Sequence, residues 1–223
     1  MDQIALFDLD NTLVDRQAVF RQWAEWFVEA RGLESDDVEW LVAADLDGNA
    51  PRDELFAKLR ARRGLTDGLD TLVSGYLRDY PLFFEPDPDV GAALARLRGH
   101  GWRIAIVTNG ATAQRAKVAR AGLLDLVDAC CVSAELGSWK PDPLIFEQAV
   151  AACGADGGAM STIWMIGDSP EHDMTGAHRL GMRTVWMHRH RDWDMDDFQP
   201  DHQAGSILDA VDILLSAAPP VPD

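Results

Sequence analysis

The 223-residue sequence predicts an α/β fold, a doubly wound Rossmann-like parallel sheet with a helical segment inserted after its first strand. Three observations carry that expectation. Short apolar runs alternate with helical patterns, the rhythm of parallel strands joined by crossovers. The runs are continuously apolar, as strands covered on both faces are. One interval of about seventy residues is far too long for a single crossover and has helical patterning of its own.

Five runs read as buried strands: residues 4–7, 104–107, 129–132, 162–166 and 184–187. Helical stretches between them carry recognisable punctuation. Residues 89–98 stop at Gly99 and 111–121 at Gly122. Residues 144–153 follow Pro141 and Pro143 and stop at Gly154, and 172–180 stop at Gly181. The long interval reads as four helices, 17–31, 36–44, 52–63 and 68–79, with apolar faces built from residues such as Trp23, Phe27, Leu41, Phe56, Leu59 and Leu72. The expected division is a hydrolase-type core of residues 1–15 and 85–223, with a helical cap of residues 16–84 packing on itself over the first strand's end. The Pro-rich tail, 217–223, is expected to fray.

Composition narrows the function classes. Hydrophobic residues make up 47% and charged residues 26%, the balance of a soluble globular protein. The net charge of −17 argues against nucleic acid and anionic membranes, which are bound through clustered Lys and Arg. It leaves room for a small anionic substrate, because a metal ion and one buried lysine can reverse the potential inside a cleft. No apolar run reaches ~20 residues, and the Met1-Asp2-Gln3 start lacks the order of a secretory signal. A cytoplasmic protein is expected, as monomer or homodimer. Three cysteines without metal-ligand spacing read as core thiols.

The residues that carry chemistry follow the strands. Asp8 and Asp10, in Asp8-Leu9-Asp10-Asn11-Thr12, come directly after the first run, where two carboxylates need a metal or cation beside them. Thr108-Asn109-Gly110 joins the second strand to a helix and supplies a hydroxyl, an amide and flexible backbone for an anion. Lys140 lies beyond the third strand, before Pro141 and Pro143. Asp168 leaves the fourth strand and Asp173 follows five residues on, both oxygen donors suited to a hard cation such as Mg2+. On one edge of one sheet these residues are an inventory for phosphoryl transfer, in which positioning and charge neutralisation dominate.

Asp8-x-Asp10-x-Thr12, Thr108-Asn109, Lys140-Pro141 and Gly167-Asp168 through Asp173 resemble the four motifs of the haloacid dehalogenase superfamily, in the family's order. The insert stands where that family places a helical cap of the first type, as in its phosphoglycolate phosphatase-like branch. The resemblance implies Asp8 as nucleophile, Asp10 as general acid and base, and Thr108, Asn109 and Lys140 as holders of the phosphoryl group. It implies Mg2+ held by Asp8, the Asp10 main-chain carbonyl and Asp168, with Asp173 directly or one step removed. Family dehalogenases lack the acid matching Asp10, because a departing halide needs no proton and an alkoxide does. The expected activity is hydrolysis of a small phosphorylated metabolite. The alternatives are a phosphomutase, or a binding or regulatory relative without turnover.

Three segments are weighed as decoys. Residues 45–49 read as a loop turning over the cleft, with Arg52 a candidate for gripping a substrate's remote anionic group. The alternative for Arg52 is a place in the next helix's first turn, paired with Asp53 or solvent. His188-Arg189-His190-Arg191 and the acid-rich 192–201 read as solvated loops.

Overall fold

Six strands of the described residues form one parallel sheet: β1 (Ile4–Phe7), β2 (Arg103–Thr108), β3 (Ala129–Val132), β4 (Ile163–Gly167), β5 (Arg183–Met187) and β6 (His202–Ala204). Their order is β3-β2-β1-β4-β5-β6, and every neighbouring pair runs parallel. This computed structural model describes residues 3–111, 113–154 and 159–217. Thr112, in the expected helix 111–121, and residues 218–223 of the expected frayed tail lie outside them. The chain divides into two units, Met1–Val14 with Glu85–Asp223, and Asp15–Phe84. No helix among the described residues is long and apolar enough to cross a membrane.

The Asp15–Phe84 unit is helical: α1 (Arg16–Ala30), α2 (Asp36–Asp45), α3 (Arg52–Arg63) and α4 (Leu69–Asp79). Asp15 caps α1 by accepting the Ala18 N–H at 3.0 Å. Its core is aromatic, with Trp23 packed edge-on against Phe56 and Tyr76 and tilted against Phe27. Asp45 is buried at the end of α2 and accepts from Arg16 at 2.6 and 2.9 Å, from Arg52 at 2.5 Å and from the Gly48 N–H at 2.8 Å. Gly48 has φ +93°, and a Cβ there would stand 2.7 Å from Arg16 Nε. Arg52 begins α3, half-buried, and donates to Asp45 and to the Ala50 and Gly48 carbonyls, with no contact to Asp53 among its hydrogen bonds.

In the sheet unit, side chains alternate between two apolar layers, as the two-residue period of a strand requires. Ala5, Phe7, Ile104, Ile106 and Ile166 face one layer, with Leu94 and Leu97 of α5 (Pro88–Gly99), Val118 of α6 (Ala113–Arg120) and Val211 and Leu214 of α10 (Ile207–Ala217). Ile4, Leu6, Ala105, Val107 and Met165 face the other, with Ile145 and Phe146 of α8 (Pro143–Ala152) and Ala177 of α9 (Thr175–Arg179). The short α7 (Ser133–Leu136) follows β3. All three cysteines are free thiols, and burial pushes those of Cys131 and Cys153 up to about 11.

Two corrections to the sequence reading arise here. The segment after residue 191 is not merely a solvated loop. Trp193 and Phe198 pack against the second layer, Asp201 accepts from the Thr184 N–H and hydroxyl at 2.8 and 2.9 Å, and β6 follows on the sheet's edge. The expected helix 172–180 is a wide π turn, Pro170–Met174, running into α9.

Candidate active site

Asp8 follows β1, Thr108 closes β2, Lys140 lies beyond β3 and α7, and Asp168 follows β4. These are carboxyl ends of neighbouring strands, on either side of β1, where the strand order reverses and α/β sheets take their ligands. The Asp8 N–H donates to the Ile166 carbonyl at 2.9 Å, extending the ladder one residue past the strand. The chain then doubles back through Asn11, at φ +65°, with the Leu13 N–H on the Leu9 carbonyl and both leucines buried. Both carboxylates stay at this sheet edge on either side of the turn. Asp8 and Asp10 have different partners.

Asp8 belongs to Lys140. Lys140 is 4% exposed, and its ammonium reaches Asp8 Oδ1 at 2.5 Å, the Val107 carbonyl at 2.7 Å and Asp173 Oδ1 at 2.7 Å. Two of these contacts are hydrogen bonds, to Asp8 and the Val107 carbonyl, and the third is an ion pair with Asp173. Burial raises the Asp8 carboxyl well above its ordinary range, with Lys140 opposing and the charges of Asp173 and Asp168 adding to the rise. Lys140 moves the same way, its charged form favoured by Asp173 and Asp8 in spite of burial. Asn109 braces this lysine: its Nδ2 donates to the Lys140 carbonyl at 3.0 Å and its Oδ1 accepts the Lys140 N–H at 2.8 Å.

Asp10 belongs to α6. Lys117 Nζ reaches its two oxygens at 2.9 and 2.7 Å, and Gln114 Nε2 donates to Oδ2 at 2.9 Å. The same Gln114 nitrogen donates to Thr108 Oγ1 at 2.7 Å. Gln114 and Lys117 are both buried. Gly110 makes the space, since a Cβ there would stand 2.7 Å from Gln114 Cγ.

Asp8, Asp168 and Asp173 each offer an oxygen, and those oxygens lie within 4.8 Å of one another. The π turn delivers Asp173. Its N–H donates to the Ser169 carbonyl at 3.0 Å, and its Oδ2 accepts the Ser169 N–H at 3.1 Å. Gly167 is required beneath it, because a Cβ there would overlap the Asp173 carboxylate. Asp168 accepts from Arg191 at 3.1 Å, and its main-chain carbonyl accepts the Trp186 indole N–H at 2.9 Å. Three converging carboxylates with Lys140 as close counter-charge are an oxygen donor set that fits a hard divalent cation.

All seven residues singled out in the sequence lie at this sheet edge. Gln114, Lys117 and Arg191 were missed. The inward stripe of α6 runs through positions 114, 117 and 118, where Gln and Lys replace the apolar residues a core-facing helix carries. That substitution was the available signal. Arg191 had none, since it reaches Asp168 through left-handed backbone at Arg189 and His190, which are not turn-type residues. The expectation of a purely solvated loop there is corrected.

Comparison with known proteins agrees with the geometry. The family model described as haloacid dehalogenase-like hydrolase matches residues 3–181. A phosphoserine phosphatase of Thermus thermophilus is 31% identical over 204 residues, 86% of this chain and 78% of that protein. A glyceraldehyde 3-phosphate phosphatase of Methanopyrus kandleri is 30% identical over 98% of this chain and 99% of its own. A solved HAD-hydrolase of Bacillus subtilis, YfnB, bound to magnesium, aligns with TM-score 0.78 over 96% of this chain and 98% of that one, at 22% identity, a likeness of fold. With the motifs, the sheet order and the family match in agreement, the chain belongs to the haloacid dehalogenase-like hydrolases.

Proposed function

We propose that this protein is a phosphohydrolase that cleaves a small phosphate monoester through an aspartyl-phosphate on Asp8. The observation that carries the reading is the Asp8 carboxylate held 2.5 Å from a buried lysine, on a sheet edge that also presents Thr108, Asp168 and Asp173. The relatives named above are phosphatases acting on two different small esters, which supports the class of substrate and leaves its identity to the Asp15–Phe84 unit, read as a cap.

An Asp8 oxygen attacks phosphorus and the bond to the ester oxygen breaks, while Asp10 gives its proton to the departing alkoxide. Water then attacks phosphorus, its proton passes to Asp10, and the bond to Asp8 breaks to free phosphate. Lys140 and Thr108 hold phosphoryl oxygens. Asn109 acts through its backbone and by fixing Lys140, because its side-chain amide is engaged with the lysine's main chain. Asp8, Asp168, Asp173 and the Asp10 main-chain carbonyl would hold Mg2+, which when bound supplies charge neutralisation for the phosphoryl group. Asp10 also separates this reading from dehalogenation, which needs no acid there.

The test is phosphate release from p-nitrophenyl phosphate with Mg2+, and acid-quench capture of labelled phosphoryl group on the protein. Release should stop on chelation, and label should appear on Asp8 and be absent from Asp8→Asn, whose turnover falls at least ~10³-fold. Near-parental turnover in that variant would overturn the assignment.

A further inference from the structure

We propose that Lys117 and Gln114 are positioning residues for the acid–base half of the reaction, with Lys117 fixing the Asp10 carboxylate and Gln114 tying it to Thr108. The inference rests on the reading of Asp10 as general acid and base. Lys117 bridges both Asp10 oxygens, so rotation of the carboxylate plane breaks at least one short hydrogen bond to a charged group. Gln114 adds a third bond to Oδ2 and uses its other amide hydrogen on Thr108 Oγ1. A hydroxyl that accepts from an amide is oriented to donate its own proton elsewhere, the role a phosphoryl oxygen requires of Thr108.

The arrangement is built into the fold. Both side chains are buried on α6, three residues apart and so on one face of the helix. Gly110, between β2 and α6, has no Cβ where one would meet Gln114. Its N–H donates to Ser133 Oγ at 2.9 Å, and the Ser133 hydroxyl donates back to the Gly110 carbonyl at 3.2 Å, holding the start of α6 against the end of β3. A lysine held only for solubility would not be buried among these partners. Lys140 pairs with the nucleophile, and Lys117 is a second, separate cation that pairs with the acid.

The experiment compares single-turnover rates of the full chain, with Mg2+, on an alkyl phosphate and on p-nitrophenyl phosphate, for the parent, Lys117→Met, Lys117→Arg, Gln114→Leu, Asp10→Asn and the Asp10→Asn/Lys117→Met pair. Lys117→Met should slow the alkyl ester ~10- to 100-fold, inside the 10²–10⁴ that general acid catalysis is worth, and the activated ester several-fold less. KM should stay within ~2-fold, Lys117→Arg should recover part of the rate, and Lys117→Met should slow Asp10→Asn less than ~2-fold further. Equal losses on both esters, or losses that multiply fully in the double variant, would overturn the proposal. Should Lys117→Met fail to fold, the Gln114→Leu and Lys117→Arg arms decide by the same leaving-group comparison. An Asp10→Asn enzyme with parental rates on both esters sinks the underlying acid assignment instead, which distinguishes the two failures.

Discussion

Asp8 is attractive to phosphorus for the same reason that it burdens the fold. Burial is the main cause of its raised carboxyl pKa, and Lys140 offsets that only in part. A carboxyl whose folded pKa exceeds its unfolded value destabilises the folded state when ionised, so Asp8→Asn should raise the melting temperature of metal-free protein at pH 7. The gain should vanish below about pH 4, where both states carry the neutral acid. Melts in chelator at the two pH values test this, and a lower melting temperature for the variant at pH 7 would contradict it. The sequence marked Lys140, in its Pro-stiffened loop, as a holder of the phosphoryl group but did not reveal what its ammonium would touch in the folded chain. That its ammonium meets Asp8, the Val107 carbonyl and Asp173 follows from β1 lying between β2 and β4, a fact of topology.

Elements were legible where burial made their sequences continuous. The strands β1 to β5 sit within a residue of the apolar runs, and the motifs fall at their carboxyl ends because that is where a covered strand first meets water. Elements defined by phase or by unusual backbone were not legible. β6 is three residues long with no apolar run, and the inward face of α6 depends on how that helix is rotated against the sheet. The turn after α2 belongs with these, since Leu46 and Asp47 both take left-handed backbone around buried Asp45. Asp45→Ala should leave Arg16 and Arg52 without their shared carboxylate and destabilise the helical unit by about 3–5 kcal/mol, the range for breaking a buried pair. Hydrogen exchange resolved by peptide would show faster exchange in α1 to α3 and little change in the sheet. Parental rates in α1 to α3 would mean that the cluster is not what holds them.

At the scale of the molecule, the chain carries a net charge of −17 and gathers three carboxylates at one sheet edge. A divalent cation binding the folded core and not the unfolded chain stabilises it by mass action, ~2.7 kcal/mol at a hundredfold excess over Kd. Magnesium should therefore raise the unfolding transition of the sheet unit by several degrees, and Asp168→Ala should shift the response to much higher magnesium. An identical magnesium response in the variant would remove Asp168 from the metal site. The sheet order has a further consequence for how the chain is made. β1 pairs with β2 and β4, so during synthesis β1 waits for partners that begin at Arg103 and Ile163. At ~5–20 residues per second that wait is on the order of ten seconds for the second partner. The Asp15–Phe84 unit is contiguous and emerges whole within that interval. The guest can thus be folded before its host exists, and the nascent chain must keep a bare apolar strand tethered to a finished helical unit until the rest of the sheet arrives.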